Sequence, residues 1–556
     1  MTAGLVDRRI GLLFAAFLTL LAFAGLRSVQ IGVLKGGKLS SAAATQQIRT
    51  ATVPARRGSI TDRNGVALAV SEPADDISAT PYLIKDPVSA AAKIAPILGV
   101  PEDELVKKLA RRDTGFVYLA RQVPAAKSDK LQALALPGLQ FDPGNHRVYP
   151  HGWLASQVLG SVGTDGNGLF GLEYGFNARL HGHDGVRRTV NDALGKPVAV
   201  TDPRPAVAGQ GLQLTLDAKI QDKVEQVLQG VGETYRPKGA TAIVMDPNDG
   251  ELLAVANWPR INANDPAGAP GYANEDRAVG FTYEPGSTFK AFTVAGALQD
   301  GIVTPTTSFD LAPQIHVADR VIGEAETRGP VTLTTAGILA QSSNVGAITI
   351  GLREGADRFD KWIHRFGFGK PTGVDLPGEE RGLVLARAKY SGSTMGNLPI
   401  GQGISVTPMQ MATAYAAIAN GGILRSPHIV REVDGRPATT PVGHRVISPA
   451  VATQLRTMLE GVFAPGGTAS EVSIPGYQLA GKTGTANKID PTTGEYSKSR
   501  YVASFMGFAP AAKPRLLVAV MVDEPQGAIY GGTVAAPAFG KIMSFALQYL
   551  RIPPTG

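Results

Sequence analysis

The sequence predicts an α+β protein in three parts: an N-terminal apolar helix, a mixed α/β domain, and a larger C-terminal α+β domain whose sheet is assembled from distant segments. Three observations lead there. An uncharged run "IGLLFAAFLTLLAFAGL" spans Ile10 to Leu26. The texture of the chain changes near Gly209, where proline and glycine punctuation gives way to alternating and then helical patterns. Strand-like runs recur at both ends of the region beyond, around a largely helical middle. With 556 residues the chain has room for two or more domains with substantial cores. Its 44% hydrophobic and 18% charged residues are those of a globular protein, which excludes disorder as the main theme. Cysteine is absent, which excludes disulfide frameworks and thiolate chemistry. The formal charge of +7 over this length is an ordinary solvated surface.

The apolar run is at the lower edge of the ~17–25 residues a membrane span needs, and past Arg27 the milder "SVQIGVL" extends it. Ala22-Phe23-Ala24 also has the small-x-small form of a signal-peptidase site, but the run exceeds the ~7–15 residues of a signal core. An uncleaved anchor at 10–34 is the expectation, with residues 1–9 held in the cytoplasm by Arg8 and Arg9 and the rest of the chain outside. From 36 to 208, short β-like runs mix with charged helical pieces such as "PEDELVKKLARR", which has acids in its first turn and bases in its last. From 209 to 556, Leu212 to Leu216 alternates, a helix begins near Asp217, and "ATAIVMDPNDGELLAVAN" reads as two strands joined at Asn248-Asp249-Gly250. "YVASFMGFA" and "RLLVAVMVD" are strands, and "APAFGKIMSFALQYL" is a helix.

Three short segments carry chemistry. In "YEPGSTFKAFT" a turn at Pro285-Gly286 leads into an apolar helix ending at Gly301. The i, i+3 spacing of Ser287 and Lys290 puts hydroxyl and amine on one face, within hydrogen-bonding reach. A desolvated amine there can take the serine proton, and a helix N-terminus favours the developing anion. Helix capping by Ser287 is the plain alternative. "LAQSSNVGA" places Ser342, Ser343 and Asn344 between two helices, where capping again competes with a role in a cleft. "LAGKTGTAN" places Lys482, Thr483, Gly484 and Thr485 in an extended segment, where lysine and threonine can hold a carboxylate. There Gly484 lets backbone approach a ligand.

The set Ser-x-x-Lys, Ser-x-Asn, Lys-Thr-Gly, in that order, resembles the penicillin-recognising serine acyltransferases. "RRGSITDRNGVALA" from Arg56 and "GLFGLEYGFNARLHGHDG" from Gly168 resemble the N-terminal pedestal, or dimerisation-like domain, of class B penicillin-binding proteins. "GQGISVTPMQMATAYAAIANGG" and "YGGTVAAPAF" resemble that family's transpeptidase domain. The chain's length and the "PGYQLAGKTGTA" context look most like the septal, cell-division enzyme, with a spore-cortex relative close behind.

The resemblance implies a serine β-lactamase-like catalytic domain, an antiparallel sheet flanked by helices, that crosslinks peptidoglycan stem peptides as a D,D-transpeptidase and is acylated by β-lactams. Ser287 would be the nucleophile, Lys290 its base and Ser342 a proton relay. Asn344 would bind substrate backbone, Lys482, Thr483 and Thr485 the donor carboxylate, and the Ser287 and Thr485 N–H groups the oxyanion. No metal or organic cofactor is implied, and no nucleic acid. The implied partners are a polytopic glycan polymerase and other divisome membrane proteins, at the bacterial inner membrane. An elongation or sporulation enzyme, or a silent β-lactam-binding scaffold or sensor, is the alternative. A class A β-lactamase is disfavoured by the lack of a Glu-x-x-Leu-Asn segment. Arg57, Asp62 and Arg63 are expected either to pair with one another or to contact a partner.

Overall fold

The computed structural model describes residues 3–34, 37, 48–191 and 197–554. The expected start of the second domain at 36 lies outside the described residues. Helix Ala3–Val29, followed by a π turn at Gln30–Leu34, makes up the first part. Its stretch Arg8–Val33 is 26 residues long, apolar enough to cross a membrane, and buried against none of the described residues. At ~1.5 Å per residue it reaches about 39 Å, against a hydrocarbon core of about 30 Å.

The second part is built on the 13-residue strand Ala67–Ala79, flanked by antiparallel Val117–Pro124 and Leu139–Val148. Helices Pro87–Leu98, Glu102–Leu109 and Ala125–Gln132 close a small core of Ile77, Ile94, Leu105, Leu109 and Leu131 against it. The change of texture at Gly209 is not a gap between two bodies. Leu212–Leu214 pairs in parallel with Ile60–Thr61 on one side and antiparallel with Val430–Val433 on the other. One sheet thereby runs from the N-terminal domain into the C-terminal one.

The charged signature near Ile60 does something other than pair with itself. Arg57 is buried and bonds Glu173, Gly166 and Asn177. Asp62, also buried, accepts from the Asn64 and Val66 N–H groups and from Ala218 at the start of the Ala218–Tyr235 helix. Arg63 pairs with Glu251 at 3.1 Å. The segment is thus a tie within and between the domains. Burial leaves Arg57 and Asp62 no surface to offer a partner.

In the C-terminal domain five antiparallel strands run in the order Leu252–Trp258, Gly239–Met245, Leu516–Asp523, Tyr496–Ala509, Ala480–Ile489. The sheet therefore joins two distant stretches of chain. Its strands Gly239–Met245 and Leu516–Asp523 are buried at every position, and nearly all apolar, because both faces are covered. Val518, Val520 and Val522 face the layer of helices Ala218–Tyr235 and Ala536–Tyr549. Leu517, Ala519 and Met521 face the larger core, which contains Lys290–Gln299, Asn344–Glu354 and the wholly buried Pro408–Ala419. Ala480–Ile489 is left at the edge, beside the entry to the Lys290–Gln299 helix.

Candidate active site

Ser287 enters the helix through a short 3-10 turn, Gly286–Phe289, and does not cap it; the turn is preceded by Pro285. Gly286 has φ +54°, and a Cβ there would lie 2.9 Å from the Thr485 carbonyl oxygen, so the turn needs glycine both for its backbone and for its contact with the edge strand. In a 3-10 turn residues i and i+3 eclipse, which brings Ser287 and Lys290 to one side. Ser287 is partly exposed, and its hydroxyl makes no hydrogen bond among the described residues. Thr288 ties the turn down: its hydroxyl donates to Pro285, and its carbonyl accepts from Tyr415 at 2.6 Å.

Lys290 is wholly buried. Its Nζ donates to the Ser342 carbonyl at 2.5 Å, to Ser342 Oγ at 3.3 Å and to Asn344 Oδ1 at 2.6 Å, not to Ser287. Burial lowers its pKa from the usual lysine range to about 7, with the Glu324 charge acting against the shift. At neutral pH a large fraction of this amine is therefore neutral.

The first and second segments meet through this lysine. Ser342 has φ +59°, the left-handed region that non-glycine residues rarely occupy. Capping of helix Asn344–Glu354 falls to Ser343, whose hydroxyl accepts from the Gly346 N–H, leaving Ser342 free to face Lys290. A residue the sequence did not single out completes the turn. Glu324 accepts from Ser343 Oγ at 2.6 Å and from the Asn344 N–H at 2.5 Å, and pairs with Arg328. Only its position after a short β-hairpin, Gln314–Val317 with Arg320–Gly323, hinted at a fixed orientation.

The third segment lies on the edge strand. Lys482 is wholly buried, 3.2 Å from the Thr483 carbonyl and 3.3 Å from Thr483 Oγ1. Its pKa is well below the lysine range, first because of burial and then because of the nearby Lys290 charge. Two buried amines so placed repel each other as cations, and an anion bound beside them would relieve that repulsion. Thr483 Oγ1 lies 2.7 Å from Thr468 Oγ1, and Thr485 Oγ1 accepts from the Gly531 N–H. Gly484 is also required by the packing around it. The place of its missing Cβ is 2.4 Å from Ser504 Oγ and 2.8 Å from Thr288 Cγ2, so any larger residue would collide with the neighbouring strand and with the serine turn.

A partly exposed hydroxyl, a buried amine near neutrality, a second buried amine and an edge strand together suit acyl transfer to serine from a carboxylate-bearing substrate. Comparison with known proteins points the same way. Residues 240–544 match the penicillin-binding protein transpeptidase domain and residues 52–214 the penicillin-binding protein dimerisation domain. The chain is 34% identical over 560 residues to the peptidoglycan D,D-transpeptidase FtsI of Escherichia coli, covering 99% of this chain and 93% of that one. It is also 34% identical to stage V sporulation protein D of Bacillus subtilis, covering 98% and 85%. Among solved structures, penicillin-binding protein 3 from Mycobacterium tuberculosis, complexed with aztreonam, superposes with a TM-score of 0.72 at 31% identity, over 91% of this chain and 98% of that one.

Proposed function

Because the chain belongs to the class B penicillin-binding proteins, we propose that its Ser287 carries the acyl group in peptidoglycan crosslinking. The protein is a peptidoglycan D,D-transpeptidase. The observation that carries the residue assignment is the buried Lys290 amine, lowered to about 7 and linked to Ser342 and Asn344. Ser287 Oγ attacks the penultimate D-Ala carbonyl of a stem peptide. Its proton passes to Lys290, and Ser342 relays a proton to the leaving nitrogen as the C–N bond breaks and D-Ala departs. An acceptor amine then attacks the ester, forming the crosslink and returning the proton to Ser287. Asn344 holds the donor backbone, Lys482, Thr483 and Thr485 its carboxylate, and the N–H groups of Ser287 and Thr485 the oxyanion. A β-lactam follows the first half of this path and stays on Ser287.

The septal role is the one we favour, with the sporulation reading supported by the equal identity to the Bacillus protein. Helix Ala3–Val29 anchors the chain, with Arg8 and Arg9 holding the N-terminus in the cytoplasm and both domains outside. A glycan polymerase of the division machinery is the proposed membrane partner. A donor pentapeptide ending in D-Ala-D-Ala, incubated with an amine acceptor, should give free D-Ala and crosslinked product with the wild type and neither with Ser287→Ala. Product formed by Ser287→Ala would refute the assignment. A fluorescent fusion concentrating at midcell in dividing cells supports the septal role, and one confined to the forespore or side wall contradicts it.

A further inference from the structure

Ser342 is held in the left-handed region, a conformation that a non-glycine residue keeps only where its surroundings impose it. The imposing contacts come from the hairpin Gln314–Val317 with Arg320–Gly323, whose end grips the turn at three atoms. Gly323 O accepts from Asn344 Nδ2 at 3.0 Å, Glu324 Oε2 accepts from the Asn344 N–H, and Glu324 Oε1 accepts from Ser343 Oγ. With Nδ2 fixed by the hairpin, Asn344 Oδ1 is turned toward Lys290 Nζ, 2.6 Å away. The Glu324 side chain is only 8% exposed, so its charge acts through protein and not through bulk water.

We propose that Glu324 is a positioning residue for acyl transfer: it sets the Ser342–Asn344 turn against Lys290, and its charge fixes the pH range in which that amine accepts the Ser287 proton. Among the described residues, the charged groups around Lys290 are Glu324 on the hairpin side and Lys482 on the edge strand, with Arg328 behind Glu324 and paired to it at 2.5 Å. Glu324 favours the ammonium form; Lys482 opposes it, and Arg328 offsets part of the Glu324 charge. This rests on the proposed role of Lys290 as base.

The test is the second-order rate of acylation of the full chain by a fluorescent penicillin between about pH 5 and 9. Wild type, Glu324→Gln and Arg328→Gln are compared. A neutral base gives a rate that rises through the Lys290 pKa to a plateau. In Glu324→Gln the loss of a negative charge lowers that pKa, so the rising limb moves to lower pH, by about one unit, while the plateau falls as the turn loosens. In Arg328→Gln the Glu324 charge is less offset, and the limb moves to higher pH. Shifts of opposite sign are the signature; a purely structural role lowers the plateau of each variant and moves neither limb. A wild-type limb that neither variant moves overturns the role of Glu324 alone. A wild-type profile with no such limb overturns the assignment of Lys290 as base, and this proposal with it. If Glu324→Gln fails to fold, as read by its melting transition, the upward shift in Arg328→Gln decides.

Discussion

Replacing Glu173 by Gln should unfasten the N-terminal domain while sparing the chemistry. The Glu173 side chain is wholly buried and serves two guanidiniums. Oε2 accepts from Arg57 Nε at 2.5 Å, and Oε1 accepts from Arg147 Nε at 2.7 Å and from the Tyr149 hydroxyl at 3.3 Å. Arg57 and Arg147 are themselves only 6% and 5% exposed at the side chain. Glutamine keeps the shape and removes the charge, leaving two buried cations without a counter-ion. Breaking a buried pair costs ~3–5 kcal/mol. The lower end applies, because Arg57 keeps the Gly166, Asn177 and Glu173 oxygens and Arg147 keeps Gly58 O and Ser71 Oγ. For a domain of this size ~1 kcal/mol moves the melting temperature by about 2–4 °C, so a loss of about 3 kcal/mol lowers the transition by roughly 6–12 °C. Calorimetry of the detergent-solubilised chain measures it. Acylation by a fluorescent penicillin at 25 °C should stay within about twofold of wild type, since none of these residues touches the site. A fall of less than about 2 °C would refute the reasoning that this cluster fastens the domain.

Two further outcomes follow from the buried titratable groups. Lys290→Arg keeps the charge but cannot accept a proton, and should lower acylation by ~10²–10⁴-fold; a loss below about tenfold would mean that another group is the base. Glu354 is buried, and neither carboxylate oxygen has a partner among the described residues. Burial first, and then the Asp300 charge, push its pKa up to about 8. The folded chain thus holds a proton that the unfolded chain releases near pH 4.3, and this group lowers stability progressively as pH rises from there to about 8. Glu354→Gln should remove that decline, raising the melting temperature at pH 8 more than at pH 5; equal changes at both would contradict it.

How much of this was legible in the sequence depended on the range of each contact. The strands of the main sheet showed themselves because Leu517 to Val522 is apolar throughout, as burial on both faces requires. Ser287 and Lys290 could be paired because three residues fix their relation locally. The actual partners of Lys290 could not, since Ser342 and Asn344 come from a separate helix entry 52 and 54 residues away. Glu324 stayed hidden for a similar reason: an acid after a hairpin is an ordinary surface pattern until the turn of Asn344, 20 residues on, folds over it. The packing need for Gly484 was also hidden, because an extended run does not reveal that Ser504 and Thr288 crowd its open side. Likewise, Arg57 finds its carboxylate 116 residues away, in the second pedestal motif. Its neighbours Asp62 and Arg63 were the natural but wrong candidates. The strand Leu212–Leu214 lay just past the change of texture, and nothing local disclosed that its parallel partner is Ile60–Thr61.

The central claim is that Ser287 carries the acyl group, and the most direct measurement is the site of a trapped penicilloyl adduct. The full chain is treated with penicillin, digested and read by mass spectrometry. The account predicts one added penicilloyl mass on the peptide containing "EPGSTFK", located at Ser287, and no adduct on Ser287→Ala. An adduct on Ser342 or any other residue of the wild type, or persistent labelling of Ser287→Ala, would contradict it.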